Sequence, residues 1–219
     1  MAERIRVEFH CHTAFSKDSL TPPVKLVAEC RRKGIDRLII TDHNTILGAR
    51  QAQQIDPTLV IVGEEIMTAR GEILAAYVTE EIPRGLPPFE TIRRLRDQGA
   101  FISVSHPFDA MRNGHWAFED LEAIAPLVDA IEVFNARCVD SRYNQEAVQF
   151  AQTHGLPGTA GSDAHAAFEL GNACLSLPLF ADAAGLRNVI AEGQVIGRLA
   201  SPWVHFVSSF ARIRKRIRV

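Results

Sequence analysis

Short apolar runs rich in valine and isoleucine recur along the chain, and segments with a helical pattern separate most of them. The runs lie at residues 5–9, 37–41, 59–63, 72–78, 101–105, 130–134 and 156–161. Most are continuously apolar, which is typical of strands covered on both faces. Helical segments with a plausible start, an apolar stripe and a stop lie at 21–34, 88–99, 118–125, 141–155 and 182–193. This alternation predicts a parallel α/β architecture, and seven strands in this length favour a closed barrel in a single domain.

One pair of apolar segments breaks the alternation of strand and helix. Residues 65–67 and 72–74 are separated only by Thr68-Ala69-Arg70-Gly71, which has the composition of a tight turn. This spacing predicts a hairpin of two antiparallel strands. We therefore predict a distorted seven-stranded β/α barrel.

The composition is that of an ordinary soluble globular protein, with 47% hydrophobic and 23% charged residues among 219. No apolar run reaches the roughly 18 to 20 residues that would cross a bilayer, and the first residues lack the apolar stretch of a secretory signal. We expect a cytoplasmic protein without a membrane partner. The four cysteines are scattered and form no C-x-x-C pair, which argues against a thiolate zinc site and a disulfide framework.

The charge is nearly balanced, with a formal net charge of -2, but the last residues are basic. A balanced charge favours no broad nucleic-acid or membrane surface. We predict one domain over residues 1–200 and, over 201–219, a basic helix packed on it or extending from it. A solvated helix end is the simpler explanation of the basic residues Arg212, Arg214, Lys215, Arg216 and Arg218.

Two histidines follow the first apolar run, one residue apart. Because side chains of an extended strand alternate between faces, His10 and His12 point the same way and Cys11 points oppositely. A buried pair of imidazoles that converge on one point is costly unless the point is occupied, and a divalent metal is the usual occupant. By itself, such a pair is more often an exposed strand face.

Polar residues also follow four other apolar runs. In α/β barrels the reactive groups lie at the carboxyl ends of the strands, so these side chains are expected on one rim. Several imidazoles and carboxylates at one mouth would be strongly destabilising without cations, which predicts more than one metal. Their ligand types suit Zn²⁺, Mn²⁺ or Fe²⁺ better than a hydrated Mg²⁺ site. The residues are Asp42, His43, Asn44, Glu64, Glu65, His106, Asp163 and His165.

Such a cluster predicts a hydrolase. Paired metals lower the pKa of a bound water to about 7, bridge it, and stabilise the attacking and leaving oxygens of a phosphate ester. The leading hypothesis is therefore a metal-dependent phosphoesterase with a metal-bridging hydroxide as the nucleophile.

The motifs around these residues resemble those of the polymerase and histidinol phosphatase (PHP) superfamily of metal-dependent phosphoesterases. The resemblance runs from His10 to about Gly171 through HCHTAFSKDS, ITDHN, GEEI, SHPF, EVFNAR and GSDAH, in the family's order. It implies a distorted seven-stranded barrel and two or three divalent ions. By position it implies a first ion on His10, His12, Glu65 and Asp163, a second on Glu65 and His106, and a third on Asp18, His43 and His165.

Two positions depart from the family's pattern. The loop that carries Asp18 has one extra residue, so Asp18 is either a ligand or a plain turn residue. Glu72 stands where many relatives have a histidine of the second ion. Either Glu72 ligates, which would favour Mn²⁺ or Fe²⁺ over Zn²⁺, or it points to solvent and leaves a weak second site.

Three further candidates each have two interpretations. Arg137, at the same rim as Asn135, would pair either with a substrate phosphate or with Glu132 or Asp140. Asp42 would orient a ligand imidazole, cap the helix that begins near residue 45, or do both.

The loop at 113–116 contains the third candidate. His115 and Trp116 would either stack on a base or sugar or be exposed residues without a role, and the second interpretation is the simpler.

We assign catalysis to Glu65, Asp163, His106 and Arg137, and expect a small phosphorylated substrate or a nucleic-acid end. Two alternatives stay open. One is an amidohydrolase that cleaves C–N bonds, although none of the four lysines lies at a strand end to serve as a carboxylated bridge. The other is a metal-stabilised nucleic-acid-binding or proofreading-type module that uses the arginine-rich tail.

Overall fold

The computed structural model describes residues 3–217, and over that part the chain forms nine strands and seven α-helices. The strands are β1 (Arg4–Glu8), β2 (Arg37–Ile40), β3 (Val60–Met67), β4 (Glu72–Ala76), β5 (Phe101–Val104), β6 (Ala130–Asn135), β7 (Gly158–Gly161), β8 (Ala173–Pro178) and β9 (Gln194–Gly197). The helices are α1 (Pro23–Arg32), α2 (Leu47–Ile55), α3 (Pro88–Asp97), α4 (Phe118–Ile124), α5 (Ser141–Thr153), α6 (Ala183–Val189) and α7 (Val204–Ile217). None of these helices is long and apolar enough to cross a membrane.

The strands form one sheet in the order β7-β6-β5-β4-β3-β2-β1-β8-β9. Pairing is parallel in β1–β2–β3 and β5–β6–β7, and antiparallel where β4, β8 and β9 join. Beyond β1 and β7, Cys11 forms a parallel bridge with Ala164, and the backbone N–H of His12 donates to the Ala164 carbonyl at 2.8 Å. This bridge nearly closes the sheet into a barrel, with its mouth beside the two histidines.

The predicted α/β single-domain class is confirmed, but the predicted number of seven strands is wrong, because the described residues form nine. β8 and β9 are antiparallel additions on the far side of β1. Their sequences gave no strong signal because β8 contains Ser176 and ends at Pro178, while β9 is a four-residue strand that is exposed throughout. The predicted hairpin at 68–71 is confirmed, and pairing with β4 extends β3 to Met67.

Apart from the exposed β9, both faces of the sheet are largely buried, which explains the continuous apolar runs. In β2, Leu38 and Ile40 belong to one core cluster and Ile39 belongs to the other. The first cluster includes the buried faces of α1 to α5, whereas the second contains Ile5 and Val7 of β1 together with residues of α6. Period-two alternation thus gives each strand two apolar faces, and polar residues concentrate where the strands end.

The segment predicted as a basic helix over 201–219 contains α7, and Arg218 lies outside the described residues. One face of α7 packs against the barrel through Val204, Ser208 and Ala211. The helix lies beside the mouth, since Ser208 and Arg212 line the same cavity as His43.

Candidate metal centre

His10 and His12 converge on the same two carboxylates. Both are fully buried, and their ring centroids lie 5.1 Å apart. The Nε2 atoms of His10 and His12 lie 3.5 and 3.2 Å from Oδ1 of Asp163, and 3.3 and 3.5 Å from the carboxylate oxygens of Glu65. The predicted pair therefore faces a common point between β3 and the end of β7.

Glu65 occupies the centre of this arrangement, because the extended β3 carries it past the strand ends. Besides His10 and His12, the carboxylate lies 2.8 Å from His43 Nδ1 and 3.2 Å from His106 Nε2. Ser105 Oγ donates to Oε1 at 2.7 Å. Burial disfavours the charged carboxylate, but the charges of His10 and His43 outweigh it and hold the pKa of Glu65 well below its ordinary value.

Asp163 lies two residues beyond the end of β7 and next to the bridge residue Ala164. Its φ of 51° lies in the left-handed region, which aspartate tolerates better than most residues. Arg112 Nη1 lies 2.5 Å from Oδ2, and Asn135 Nδ2 donates to Oδ2 at 3.3 Å. Burial opposes ionisation of Asp163, yet Arg112 and His10 hold its pKa well below the ordinary value.

Asp18 reaches the cluster despite the extra residue in its loop. Its Oδ1 lies 3.5 Å from His43 Nε2 and 3.4 Å from His165 Nε2. The ring of His12 lies between those two imidazoles, with centroids 4.5 Å from His43 and 4.2 Å from His165. The fold thus brings Asp18 together with the predicted third-ion residues, and His12 joins them.

Glu72 is buried at the first position of β4 and does not extend into bulk solvent. Its carboxylate oxygens lie 3.6 Å from His106 Nε2 and 3.7 Å from His43 Nδ1. Burial and the neighbouring charge of Glu65 raise its pKa. A second carboxylate this close to Glu65 is stabilised by a cation, which is the environment that a metal ligand requires.

The donor set fits divalent metal ions. Several buried atoms at the mouth have no hydrogen-bond partner among the described residues: His10 Nε2, Asp18 Oδ1, Glu65 Oε2 and His106 Nδ1. The donors fall into overlapping triplets whose ligand atoms lie within 4.8 Å of one another: His12, His43 and His165; His10, His12 and Asp163; His10, Glu65 and His106; and His43, Glu65 and Glu72. Mixed imidazole and carboxylate ligands suit Mn²⁺, Fe²⁺ or Zn²⁺.

Glu132 is a site residue that the sequence analysis did not assign to the cluster. Its Oε1 lies 2.9 Å from His10 Nδ1, which leaves Nε2 of that ring directed at Glu65 and Asp163. Its Oε2 accepts a hydrogen bond from the backbone N–H of His106 at 2.8 Å. A ligand histidine commonly has such a carboxylate behind it. The available signal was a charged residue inside the apolar run of β6.

Arg137 forms a structural ion pair, but its partner is Glu169, whose Oε2 lies 3.5 Å from Nε, and not the predicted Glu132 or Asp140. Its Nη2 donates to the Val204 carbonyl at 2.8 Å and to Ser208 Oγ at 2.9 Å, which ties the start of α7 to the mouth. Asp140 instead caps α5 through the backbone N–H of Arg142. A role of Arg137 toward substrate stays a prediction.

Asp42 does not cap α2, whose N-cap is Ile46 without a side-chain hydrogen bond. It accepts hydrogen bonds from Thr13 N at 2.7 Å and from Ser16 Oγ at 2.6 Å, and Ser16 Oγ lies 3.1 Å from His12 Nδ1. Asp42 therefore positions a candidate ligand imidazole through a serine, as the first interpretation predicted in outline. That imidazole belongs to His12.

The proposed stacking role is wrong for Trp116, because the indole is buried. Its Nε1 donates to the Glu72 carbonyl at 3.0 Å. His115 is exposed, and its Nδ1 lies 2.6 Å from the Arg112 carbonyl. Trp116 thus supports the backbone of a candidate ligand.

A cavity of about 630 Å³ lies over the cluster. Asp18, His43, Glu72 and His165 form part of its lining. Cationic side chains also line it, namely Lys17, Arg84, Arg112, Arg137 and Arg212. Cations around a mouth attract anionic substrates. Arg112 was missed by the sequence analysis, since it lies in a loop without periodicity that only folding brings to Asp163.

Glu64 precedes Glu65 but faces the opposite side of β3. It is fully buried, belongs to none of the donor triplets, and accepts a hydrogen bond from the Ile82 N–H at 3.1 Å. Burial raises the pKa of Glu64 to about 8, so the side chain is protonated at neutral pH.

Glu64→Gln is expected to change the pH dependence of stability in chelator-treated protein. Because the folded pKa is raised, Glu64 favours folding at low pH, and this contribution is lost as the pH rises from about 4.5 to about 8. Glutamine does not ionise and keeps an acceptor for Ile82. In urea unfolding, the free energy of unfolding of the variant should rise by at least about 1 kcal/mol relative to that of the parent between about pH 5 and about pH 9. If the variant and the parent differed in free energy of unfolding by the same amount at both pH values, this prediction would be wrong.

This chain matches two family profiles and two related proteins over much of its length. The PHP domain profile matches residues 8–83, and the PHP-associated profile PHP_C matches 141–195. The uncharacterized protein MJ0417 of Methanocaldococcus jannaschii is 38% identical over 172 residues, which cover 77% of this chain and 69% of that protein. A second protein of that organism, uncharacterized MJ1587, is 33% identical over 159 residues, 66% of this chain and 90% of that protein.

A solved structure has the same fold. It is a two-domain protein from Bacteroides vulgatus that contains a predicted PHP-like metal-dependent phosphoesterase. It aligns with a TM-score of 0.73 at 21% identity, over 90% of this chain and 66% of that one.

Proposed function

Because the chain belongs to the PHP domain family, we propose that it is a metal-dependent hydrolase of phosphate esters. The observation that carries the proposal is the position of Glu65, whose carboxylate lies within 3.5 Å of four imidazoles at the base of a cavity with a cationic rim. Such a constellation suits two or more cations and an anionic substrate.

The residues proposed to hold the ions are His10, His12, Asp18, His43, Glu65, Glu72, His106, Asp163 and His165. Divalent ions held there would supply Lewis acidity, which lowers the pKa of water to about 7 and polarises a phosphate ester. The protein's own contribution is to keep the donors oriented. Glu132 orients His10, Ser16 orients His12, and Ser105 orients Glu65.

Arg112 is the residue best placed to hold the substrate's phosphate. It lines the cavity, and its guanidinium lies between Asp163 and Asp109, with Nε 3.0 Å from Asp109 Oδ2. A guanidinium oriented in this way offers further N–H donors in a planar fork that matches phosphate. Arg137 is engaged by α7, so Arg112 is the stronger candidate to neutralise charge that develops on phosphate.

The cavity supports a nucleotide, an oligonucleotide end or a small phosphorylated metabolite as the substrate. A volume of about 630 Å³ lies within the range of small-ligand pockets, roughly 300 to 1,000 Å³. Its lining is rich in charge, which suits a polar phosphorylated molecule. We favour a nucleotide or an oligonucleotide end.

Metal analysis and a substrate panel test this proposal together. Protein purified without chelator is expected to contain at least two divalent ions per chain, and Mn²⁺ should support hydrolysis in a panel of phosphomonoesters, cyclic phosphodiesters and oligonucleotides. His10→Ala and Asp163→Ala should lose metal and activity together. Fewer than two ions per chain, or activity unchanged in these variants, would overturn the proposal.

The two alternatives predict different results in the same panel. Cleavage of amides but not phosphate esters would indicate a C–N hydrolase; this is disfavoured because the carboxylate of Glu65, and not a lysine side chain, lies among the four imidazoles. Salt-sensitive binding of DNA or RNA without hydrolysis would indicate a binding module. Arg212 is already paired with Asp18, which weakens that interpretation of the basic tail.

A further inference from the structure

The inner face of α7 is fixed to the barrel mouth. Arg137 binds the Val204 carbonyl and the Ser208 hydroxyl, and Lys215 Nζ donates to the carbonyls of Ala14 and Ser16. These contacts fix the rotation of α7 about its own axis. The opposite face of the helix therefore points away from the barrel.

That opposite face is an exposed apolar stripe. Phe206, Phe210, Ile213 and Ile217 follow one another at spacings of four, three and four residues, which places them on one side of a helix. Their exposed fractions are 66%, 60%, 58% and 78%. Trp203, 74% exposed, precedes the helix and packs against Phe206 in a tilted arrangement with ring centroids 5.2 Å apart. We call these five side chains the outer stripe; large exposed stripes of this kind mark interaction surfaces.

The charges beside the outer stripe are of one sign. The sequence from 201 to 219 contains no aspartate or glutamate. Arg214 and Arg216 are exposed on its two flanks and form no ion pair among residues 3–217. A basic amphipathic helix with aromatic residues at one end has the pattern of helices that lie in the surface of a bilayer.

We propose that the outer face of α7 binds a bilayer surface that carries anionic lipid headgroups. The outer stripe would enter the boundary between headgroups and acyl chains, and Arg214 and Arg216 would contact the anionic headgroups. This proposal departs from the expectation drawn from the sequence alone, in which the basic end was a solvated helix. It is independent of the proposed hydrolase activity.

Two other occupants fit the surface less well. Packing α7 of one copy on α7 of a second copy would bring their arginines together with no carboxylate on either helix, and a helix about 21 Å long offers little of the roughly 800 Å² per partner of a stable interface. A nucleic acid would pair with the arginines but leave the apolar side chains in water.

Vesicle binding tests the proposal with the full chain, and the protein contains its own probe. Only two tryptophans are present, Trp116 is buried, and Trp203 is exposed. Vesicles of two parts phosphatidylcholine to one part phosphatidylglycerol should sediment the protein and shift the Trp203 emission to the blue. Pure phosphatidylcholine should bind it much more weakly, and added salt should weaken binding to the mixed vesicles.

Matched variants separate the outer stripe from general surface properties. Phe206→Ser with Phe210→Ser should abolish vesicle binding, whereas Phe89→Ser with Phe168→Ser, which also removes two exposed phenylalanines, should not. Arg214→Gln with Arg216→Gln should weaken binding to the mixed vesicles about 5-fold for each charge removed. Lys25→Gln with Arg198→Gln is the corresponding control for exposed cations.

Three outcomes would overturn the proposal. The first is no binding of the parent protein to the mixed vesicles. The second is binding that the two outer-stripe substitutions leave unchanged while circular dichroism shows the variant folded. The third is a concentration-dependent dimer in sedimentation velocity that the same substitutions dissociate, with no vesicle binding; this result would assign the stripe to a second copy.

Discussion

Glu65→Gln should remove bound metal and hydrolytic activity together. The substitution keeps the shape of the side chain but removes the negative charge that four imidazoles contact. An amide is also a much poorer ligand for divalent ions than a carboxylate. Since loss of an orienting partner alone costs 10- to 100-fold in metal affinity, loss of this shared carboxylate should cost at least about 100-fold. Metal content after dialysis and the rate of phosphate ester hydrolysis measure the two effects.

The adjacent Glu64→Gln variant is the control for this substitution. It makes the same chemical change one residue earlier on β3, at a carboxyl whose pKa is raised to about 8 and which is therefore neutral already. The control should retain both metal and activity at neutral pH. If Glu65→Gln kept its full metal content, or if Glu64→Gln lost its metal to the same extent, Glu65 would not be the shared ligand.

Gly161→Ala is expected to produce a second large loss, because it adds a methyl group where β7 passes His10. A Cβ at this position would lie 2.3 Å from His10 Cβ and 3.0 Å from Glu132 Oε1. Neither neighbour can move freely, since His10 is buried and its ring is held by Glu132. Overpacking of this kind costs about 1 to 3 kcal/mol of stability, and displacement of His10 should lower metal affinity as well. Urea unfolding and metal titration test both parts.

Gly155→Ala separates the local effect from the general cost of replacing a glycine. Gly155 has a φ of 64°, but a Cβ there would meet nothing within 4 Å. The control should lose some stability through backbone strain while metal affinity stays unchanged. Equal metal affinity in Gly161→Ala and the parent protein would contradict the proposed role of His10.

Local sequence patterns were sufficient to predict the strand and helix alternation and the hairpin after Glu65. The common direction of His10 and His12 was also predictable from the first strand. Side chains two residues apart in an extended segment lie on the same face, whatever the rest of the chain does. The expectation that polar strand ends share one rim follows from parallel topology, and the fold does gather His43, Glu65 and Asp163 there.

Other features depend on contacts between residues far apart in the chain. Glu132 reaches His10 beside Gly161, where an added Cβ would lie 2.3 Å from His10 Cβ and 3.0 Å from Glu132 Oε1. Arg112 reaches Asp163 from a loop whose conformation no local pattern specifies. Arg137 was placed at the correct rim, but two of its partners, the Val204 carbonyl and the Ser208 hydroxyl, belong to α7, a helix that the sequence analysis could not orient.

The sequence by itself determined the α/β class, the family motifs and the types of candidate ligand, because strand periodicity and residue chemistry are local properties. The tertiary structure alone decided that Asp18 and Glu72 reach the cluster and that Asp42 acts through Ser16 on His12. It also decided which face of α7 turns outward. These outcomes depend on loop paths and side-chain packing, where small differences in distance decide whether two groups meet.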